Sequence, residues 1–168
     1  MTFGLGRDGY CGLIEKERLK GATNEVAVRR IKGYLDVLEH SGAAISVRLW
    51  ESPLRTDEDG RVAGASLLES DLPPTAILAM SDRLAIGVMK VAGERKLRIP
   101  EDLAVVGFDD IPAAQVIAPQ LTAVHQPAEE KGRVAIASLL KEKGPLRRRL
   151  PIRLVVRQST AAGVPATG

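Results

Sequence analysis

Residues 74–126 read PTAILAMSDRLAIGVMKVAGERKLRIPEDLAVVGFDDIPAAQVIAPQLTAVHQ, and this stretch decides the fold class. It contains two short apolar runs, Thr75–Met80 and Leu103–Phe108, separated by a helical segment, Asp82–Arg95, that stops before Pro100. Apolar runs of this length are typical of parallel strands that are covered on both faces. The stretch therefore predicts a strand, a helix and a central strand of one sheet, followed by a further short strand at Thr122–His125.

The same alternation continues on both sides of this stretch. Apolar residues at helical spacing predict helices at 24–41, 58–70 and 127–141, with Asn24 placed to cap the first. Shorter runs predict strands at 45–50 and 150–157. Strands and helices that alternate with short connections predict an α/β fold, a doubly wound and mainly parallel sheet with helices on both faces.

Composition limits the classes of function. The chain has 168 residues, of which 45% are hydrophobic, enough for one domain or a domain and a half. A net charge of +3 is too small to indicate a nucleic-acid surface. A single cysteine, Cys11, excludes an internal disulfide framework and a cysteine-rich metal site. No apolar window approaches the length of a membrane span and no export signal is visible, so we expect a cytoplasmic protein without a membrane segment.

The candidate site follows from the predicted sheet. In doubly wound sheets ligands bind at the carboxyl ends of the strands, which here are residues 80–82, 108–110 and 125–126. A sugar or a nucleobase presents a ring edge of hydroxyl or amine groups, and it needs fixed hydrogen-bonding groups between two lobes. Asp109 accepts hydroxyls, Ser81 and Gln126 donate or accept, and Arg30 on the first helix supplies a forked donor.

Several of these residues also have a structural interpretation. Asp109 and Asp110 are suited to a turn before Pro112, and Asp82 is suited to cap the helix that follows it. His40 and His125 are expected to be structural or exposed, because no further ligand stands beside them at metal spacing. Trp50 is either part of the core or a wall against which a ring stacks.

The N-terminal segment carries a formal GxGxxG at residues 4–9. Only three residues precede it, whereas a dinucleotide-binding fold needs a full strand there. We therefore expect a truncated strand followed by a glycine-rich, charged loop at 7–20, and no bound cofactor.

Residues 74–126 also resemble the LacI/GalR family of transcriptional repressors. The strongest matches are the SD loop at 81–82, PEDLAVVGFDD at 100–110 and PQLTAVHQP at 119–127. The segments ATNEVAVRRIKGYLDVL and LPIRLVVRQST are more weakly similar, and together the resemblance covers roughly residues 22–161. The resemblance implies the type I fold of periplasmic binding proteins, mostly its second lobe. It implies an irregular remnant of the first lobe at 1–21, the second lobe at 22–126, a helix and basic loop of the first lobe at 127–149, a closing strand at 150–161 and a tail at 162–168.

The family supplies roles for individual residues. By resemblance, Arg30, Ser81, Asp109 and Gln126 bind the effector, a sugar or a related small molecule, and no residue is catalytic. Arg55 departs from the pattern, since relatives often place an aromatic wall near that position, and this leaves the effector unidentified.

The resemblance also implies partners. Operator DNA would be bound only by a helix-turn-helix head, which this sequence lacks, so we expect an N-terminally truncated chain. We expect a homodimer formed through 84–96 and 113–121, and helix 127–141 exposing an apolar face unless a partner chain, a swap or the second lobe covers it. Two alternatives stay open: a sugar-binding protein of a transporter, and a Mg²⁺-dependent phosphoryl-transfer or hydrolase domain using Asp109 and Asp110.

Overall fold

The computed structural model describes residues 1–3, 5–6, 9–41, 47–140 and 148–160. Seven strands and six helices lie in these ranges: β1 Thr2–Phe3, β2 Gly12–Leu13, α1 Lys16–Lys20, α2 Glu25–His40, β3 Trp50–Ser52, α3 Asp57–Leu68, β4 Ala76–Leu78, α4 Asp82–Glu94, β5 Ala104–Asp109, α5 Pro112–Val116, β6 Thr122–His125, α6 Ala128–Leu139 and β7 Arg153–Val155.

The main sheet has the order β4-β5-β6-β7, and its first three strands are parallel. The predicted α/β fold with a parallel sheet is confirmed. β5 lies between two parallel neighbours, as its apolar sequence predicts, while β7 closes the sheet at its edge by antiparallel pairing with β6. β7 is shorter than the predicted strand 150–157, because only residues 153–155 pair with β6.

A second sheet of order β1-β3-β2 lies beside β4. The backbone amide of Met80 donates to the carbonyl of Met1 at 3.2 Å, and the amino group of Met1 donates to the carbonyl of Leu78 at 2.7 Å. The segment that we expect to be irregular contains the short strands β1 and β2 and helix α1, and β1 lies where we expect a truncated strand. Two-residue strands carry no periodic signal, and they are formed by pairing with distant residues.

The strand predicted at 45–50 begins instead at Trp50 and ends at Ser52; residues 42–46 lie outside the described part of the chain. Its register is set by tertiary pairing, parallel to β1 and antiparallel to β2. Its carboxyl end therefore lies close to the start of α3.

Two helices, α2 and α3, begin where a polar side chain satisfies a free backbone amide. The side chain of Asn24 accepts from the amide of Ala27, as predicted, and Thr56 forms a reciprocal capping box with Asp59 at the start of α3. The cap of α4 is Ser81, and its side chain makes no capping bond. The prediction that Asp82 caps α4 is wrong, because the Asp82 carboxylate bonds to a loop of the sheet.

The core lies around α4. Buried side chains of α4 pack there with those of α3, β4 and β5. The buried residues of this core include Leu67, Ile77, Leu84, Val88, Leu103, Val105 and Leu121. Glycines allow a close approach of α3 and α4: a Cβ added at Gly87 would lie 2.1 Å from the carbonyl oxygen of Asp57. This contact holds the start of α3 against the middle of α4.

By contrast, α6 buries none of its residues. Ile136, Leu139 and Leu140 are all exposed, and Leu139 and Leu140 are each about 80% exposed. The predicted exposed apolar face is therefore observed. Docking of α6 on the rest of the described chain, one of the expected ways to cover this face, is not.

Candidate functional site

The carboxyl ends of β4, β5 and β6 meet at one edge of the sheet. Since the three strands are parallel neighbours, Ser81, Asp109 and Gln126 follow them at the same end. Gln126 donates from Nε2 to Oδ1 of Asp109 at 2.8 Å, and its backbone amide donates to the carbonyl of Asp109 at 3.4 Å. The structure thus brings Asp109 and Gln126 into direct contact.

Arg30 reaches the same edge from α2. Its Nη1 donates to the carbonyl of Met80 at 3.1 Å, and its guanidinium lies 3.6 Å from the centre of the Phe108 ring. Burial lowers the pKa of Arg30, and the nearby charge of Asp109 raises it. A guanidinium that is stacked on a ring and fixed by a carbonyl keeps other donors for a ligand.

Ser81 lies at this edge next to Met80, but its side chain is only 4% exposed. The structure therefore places it at the strand end with little open surface. Arg55 is exposed, and its charge is close enough to lower the pKa of Arg30. The position where the resemblance leads us to expect an aromatic wall thus holds a second cation near the first.

Phe108 lies in one of the three predicted strand ends, but no role in binding is predicted for it. It is the last apolar residue of β5, and the sequence assigned it to the core of a covered strand. The structure leaves it half-buried beneath Arg30. A usable signal existed, because the chain contains only two phenylalanines and one of them directly precedes the acidic pair.

The turn after β5 has a strained backbone. Asp109 has a φ of 118° and Asp110 a φ of 59°, in a region that residues other than glycine seldom adopt. Strain of this kind persists only where surrounding contacts hold it, and it is common at functional sites. The positive φ values agree with the structural alternative, in which the two aspartates form a turn before Pro112.

Asp110 is a structural member of this turn. Its buried carboxylate accepts from Arg157 Nη2 at 2.7 Å and lies 3.0 Å from His125 Nδ1. Arg157 also donates to the carbonyl of Leu121 at 2.7 Å, so β7 and β6 are tied to the turn. His125 thus has a structural contact, as expected from the sequence.

Asp82 lies beneath the same turn. Its side chain is fully buried, and its Oδ2 accepts from the amide of Ile111 at 2.7 Å. Burial raises the pKa of Asp82 to about 6; the Ile111 amide lowers it and the charges of Asp109 and Asp110 raise it further. Among the described residues, no group of three or more His, Cys, Asp or Glu side chains is arranged to hold a metal ion.

Three other predicted features lie away from this edge. Trp50 is half-buried and packs against the main core, and the ring Nε1 has no hydrogen-bond partner within the part of the chain that is described. Within the glycine-rich stretch 4–9, the carbonyl of Leu5 accepts from the amides of Thr23 and Asn24, while residues 4, 7 and 8 lie outside the described residues. No helix among the described residues has the length and apolar character to cross a bilayer.

A cavity of about 530 Å³ lies between α2 and β4. It is lined mainly by apolar side chains, among them Tyr34, Leu38 and Leu72, and neither Asp109 nor Gln126 reaches it. It extends along β4 as far as Met80, but Arg30 and Ser81 do not line it either.

Comparison with known proteins agrees with this architecture. The model of the periplasmic binding protein-like domain family matches residues 4–160. The ribose operon repressor of Halalkalibacterium halodurans is 40% identical over 149 residues, covering 86% of this chain and 44% of the relative.

Two solved structures of LacI family regulators are also similar. One from Corynebacterium glutamicum has a TM-score of 0.85 at 28% identity, covering 95% of this chain and 48% of that one. One from Lactobacillus casei, solved with bound glucose, has a TM-score of 0.71 at 28% identity, covering 84% and 53%. The chain spans about half the length of these relatives. It belongs to the periplasmic binding protein-like domain family, in the form that serves LacI-family regulators as their effector-binding domain.

Proposed function

We propose that this chain supplies one wall of the effector site of a LacI-type repressor and that the effector is a sugar or a closely related polar ring. Arg30 would donate to ring hydroxyls and Asp109 would accept from them. Gln126 would fix Asp109 while offering its own amide group, and Ser81 would line the end of β4.

The observation that carries the proposal is the pair of contacts at one edge of the sheet, Arg30 on Phe108 and Gln126 on Asp109, with the charge of Asp109 close enough to raise the pKa of Arg30. A forked cation, a carboxylate and an amide that are fixed within one edge match the alternating donors and acceptors of a sugar. The half-buried Phe108 ring adds an apolar surface of the kind against which ring carbons pack.

Two of the similar proteins support a sugar over other polar rings. The Lactobacillus casei regulator was solved with bound glucose, and the Halalkalibacterium halodurans relative is a ribose operon repressor. These ligands belong to those proteins, and we use them to choose the probes.

The test is a titration of the 168-residue chain with ribose and with glucose, followed by two-dimensional amide NMR because one wall of a cleft binds weakly. We expect shifts in residues 80–82, 108–110 and 125–126. Arg30→Gln should weaken binding about tenfold or more, since a charged hydrogen-bond donor is lost. Arg29→Gln is the matched control, because Arg29 is 81% exposed and, within the described residues, its side chain bonds only with Glu25.

Shifts that map elsewhere, or an equal effect of the two arginine substitutions, would refute the sugar site. A parallel titration with Mg²⁺ tests the enzyme alternative. Metal-induced shifts at Asp109 and Asp110 without any response to sugars would favour a phosphoryl-transfer or hydrolase domain.

We further propose that the parent protein acts as a cytoplasmic homodimer that binds operator DNA through a separate head. Effector binding would change the lobe arrangement and thereby the DNA affinity. The exposed apolar side chains of α6 and β7 support a covering partner, since Leu139 and Leu154 are 80% and 56% exposed. Sedimentation velocity over a range of concentrations tests this, and a monomer at all concentrations with an ordered α6 would contradict it.

A further inference from the structure

We propose that Asp82 is a positioning residue of the effector site: from α4, its carboxyl group holds the strained turn that presents Asp109. The inference rests on the proposed function, because it assigns to Asp82 the support of a ligand-binding carboxylate. Asp82 itself does not touch the ligand.

The geometry shows how one side chain spans the distance between α4 and the turn. Asp82 is the first residue of α4, and its Oδ2 accepts from the amide of Ile111, the residue that caps α5. Its Oδ1 lies against β5, where a Cβ at Gly107 would come within 2.2 Å of it. The carboxyl group therefore contacts the chain on both sides of Phe108–Asp110.

This contact is needed because the turn does not hold itself. Asp109 and Asp110 both have positive φ, which side chains disfavour. Two side chains hold the turn from one side: Gln126, just after β6, donates to the Asp109 carboxylate, and Arg157, just after β7, donates to the Asp110 carboxylate. Asp82 is the anchor on the opposite side, and it acts on the backbone instead of on a side chain.

The carboxyl group of Asp82 also has an unusual environment, which shifts its pKa. Its Oδ1 is buried without a hydrogen-bond partner among the described residues. Burial raises its pKa to about 6, so the carboxyl group changes charge in a range where exposed carboxylates stay ionised. The charges that act on it are those of Asp109 and Asp110 in the turn. The other titratable or charged groups near the turn and the start of α4 are His125 and Arg157 in contact with Asp110, Arg30 near Asp109, and the Asp57–Arg83 pair at the α3–α4 surface.

The sign of the effect follows from the hydrogen bond. Above pH 6 the ionised carboxylate accepts a stronger, charge-assisted bond from the Ile111 amide. The amide proton of Ile111 should therefore move downfield as the pH rises, with a midpoint near 6. An asparagine keeps an acceptor for this amide but cannot titrate.

The experiment is an amide NMR titration of the wild-type chain from pH 4 to pH 8, with Asp82→Asn, Asp82→Ala and the control Asp71→Asn, an exposed acid ahead of β4. We expect the Ile111 titration in wild type and in Asp71→Asn and its absence in Asp82→Asn. Asp82→Asn should keep slow amide exchange at Ile111 and the wild-type signals of Asp109 and of the Gln126 side chain. Asp82→Ala should lose both.

Binding of ribose gives the second readout. Affinity should stay within about threefold of wild type in Asp82→Asn and fall about tenfold or more in Asp82→Ala, the loss of one hydrogen bond to a charged group. Unchanged turn signals in a folded Asp82→Ala would overturn the positioning role, and so would an Ile111 amide that is flat with pH in wild type. If Asp82→Ala does not fold, the wild-type and Asp82→Asn titrations still decide. If ribose fails to bind wild type while Ile111 titrates as expected, the proposed sugar effector is wrong and the role of Asp82 in the turn stands.

Discussion

Gly87→Ala should strongly destabilise the protein, although alanine is the better helix former. Gly87 lies in α4 where α3 passes closest to it. An added Cβ would lie 2.1 Å from the carbonyl oxygen of Asp57 and 2.8 Å from the amide nitrogen of Arg61. All of the nearest atoms are backbone, so no side-chain rotation can relieve the overlap.

The magnitude follows from these distances. Non-bonded heavy atoms pack best at about 3.5 Å or more, so α3 and α4 would have to separate by roughly 1 Å or more. Overpacking that moves backbone costs about 1–3 kcal/mol or more, and the separation would loosen the packing of Leu84 and Val88 as well. The intrinsic preference of a helix for alanine offsets about 1 kcal/mol. We expect a net loss of about 2 kcal/mol in the free energy of unfolding.

Urea unfolding followed by circular dichroism measures this loss. Gly93→Ala is the matched control, since it makes the same chemical change in the same helix at a position where nothing lies within 4 Å of the new Cβ. It should be neutral or slightly stabilising. If the two variants unfold within about 0.5 kcal/mol of each other, the close contact between α3 and α4 is not present in solution.

Three further outcomes are expected. Thr56→Ala should lower the free energy of unfolding by about 1 kcal/mol, because the capping box with Asp59 is lost. Thr56→Ser should keep most of the wild-type stability in the same unfolding assay. Arg157→Ala should cost about 3 kcal/mol, because it leaves the buried Asp110 without its cation, and an unchanged midpoint would contradict this. The pKa of Asp82 rises from 3.8 to about 6 on folding, so its stabilising contribution is complete below pH 3.8 and is lost as the pH rises through 6. The stability of Asp82→Asn relative to wild type should therefore increase by about 2 kcal/mol between pH 4 and pH 7.

The elements with long periodic patterns were predicted with nearly correct bounds. α2 is one residue shorter than predicted at each end, and α4 is one residue shorter at its carboxyl end. β5 is central because its residues are apolar on both faces. The strand-end loops were predicted to meet, and Asp109 and Gln126 do so. Their role in binding an effector stays a prediction.

The short elements were predicted poorly for a physical reason. β1 and β2 have two residues each, and β3, Trp50–Ser52, shares only residue 50 with the predicted strand at 45–50. A strand of two or three residues is defined by its partner's hydrogen bonds, and local sequence carries no record of them. α6 is a helix as its amphipathic sequence predicts, but the sequence does not show what covers its apolar face.

Sequence by itself determined the class of fold, the order of its main elements and the edge where polar side chains gather, because burial on both faces and helical periodicity are local properties. Tertiary structure alone decided that Arg30 lies on Phe108, that Arg157 neutralises Asp110 and that Asp82 supports a loop instead of capping its own helix. These contacts join residues 29 to 78 positions apart. Each depends on how α2, α4 and β7 pack around the sheet, which no local pattern of residues encodes.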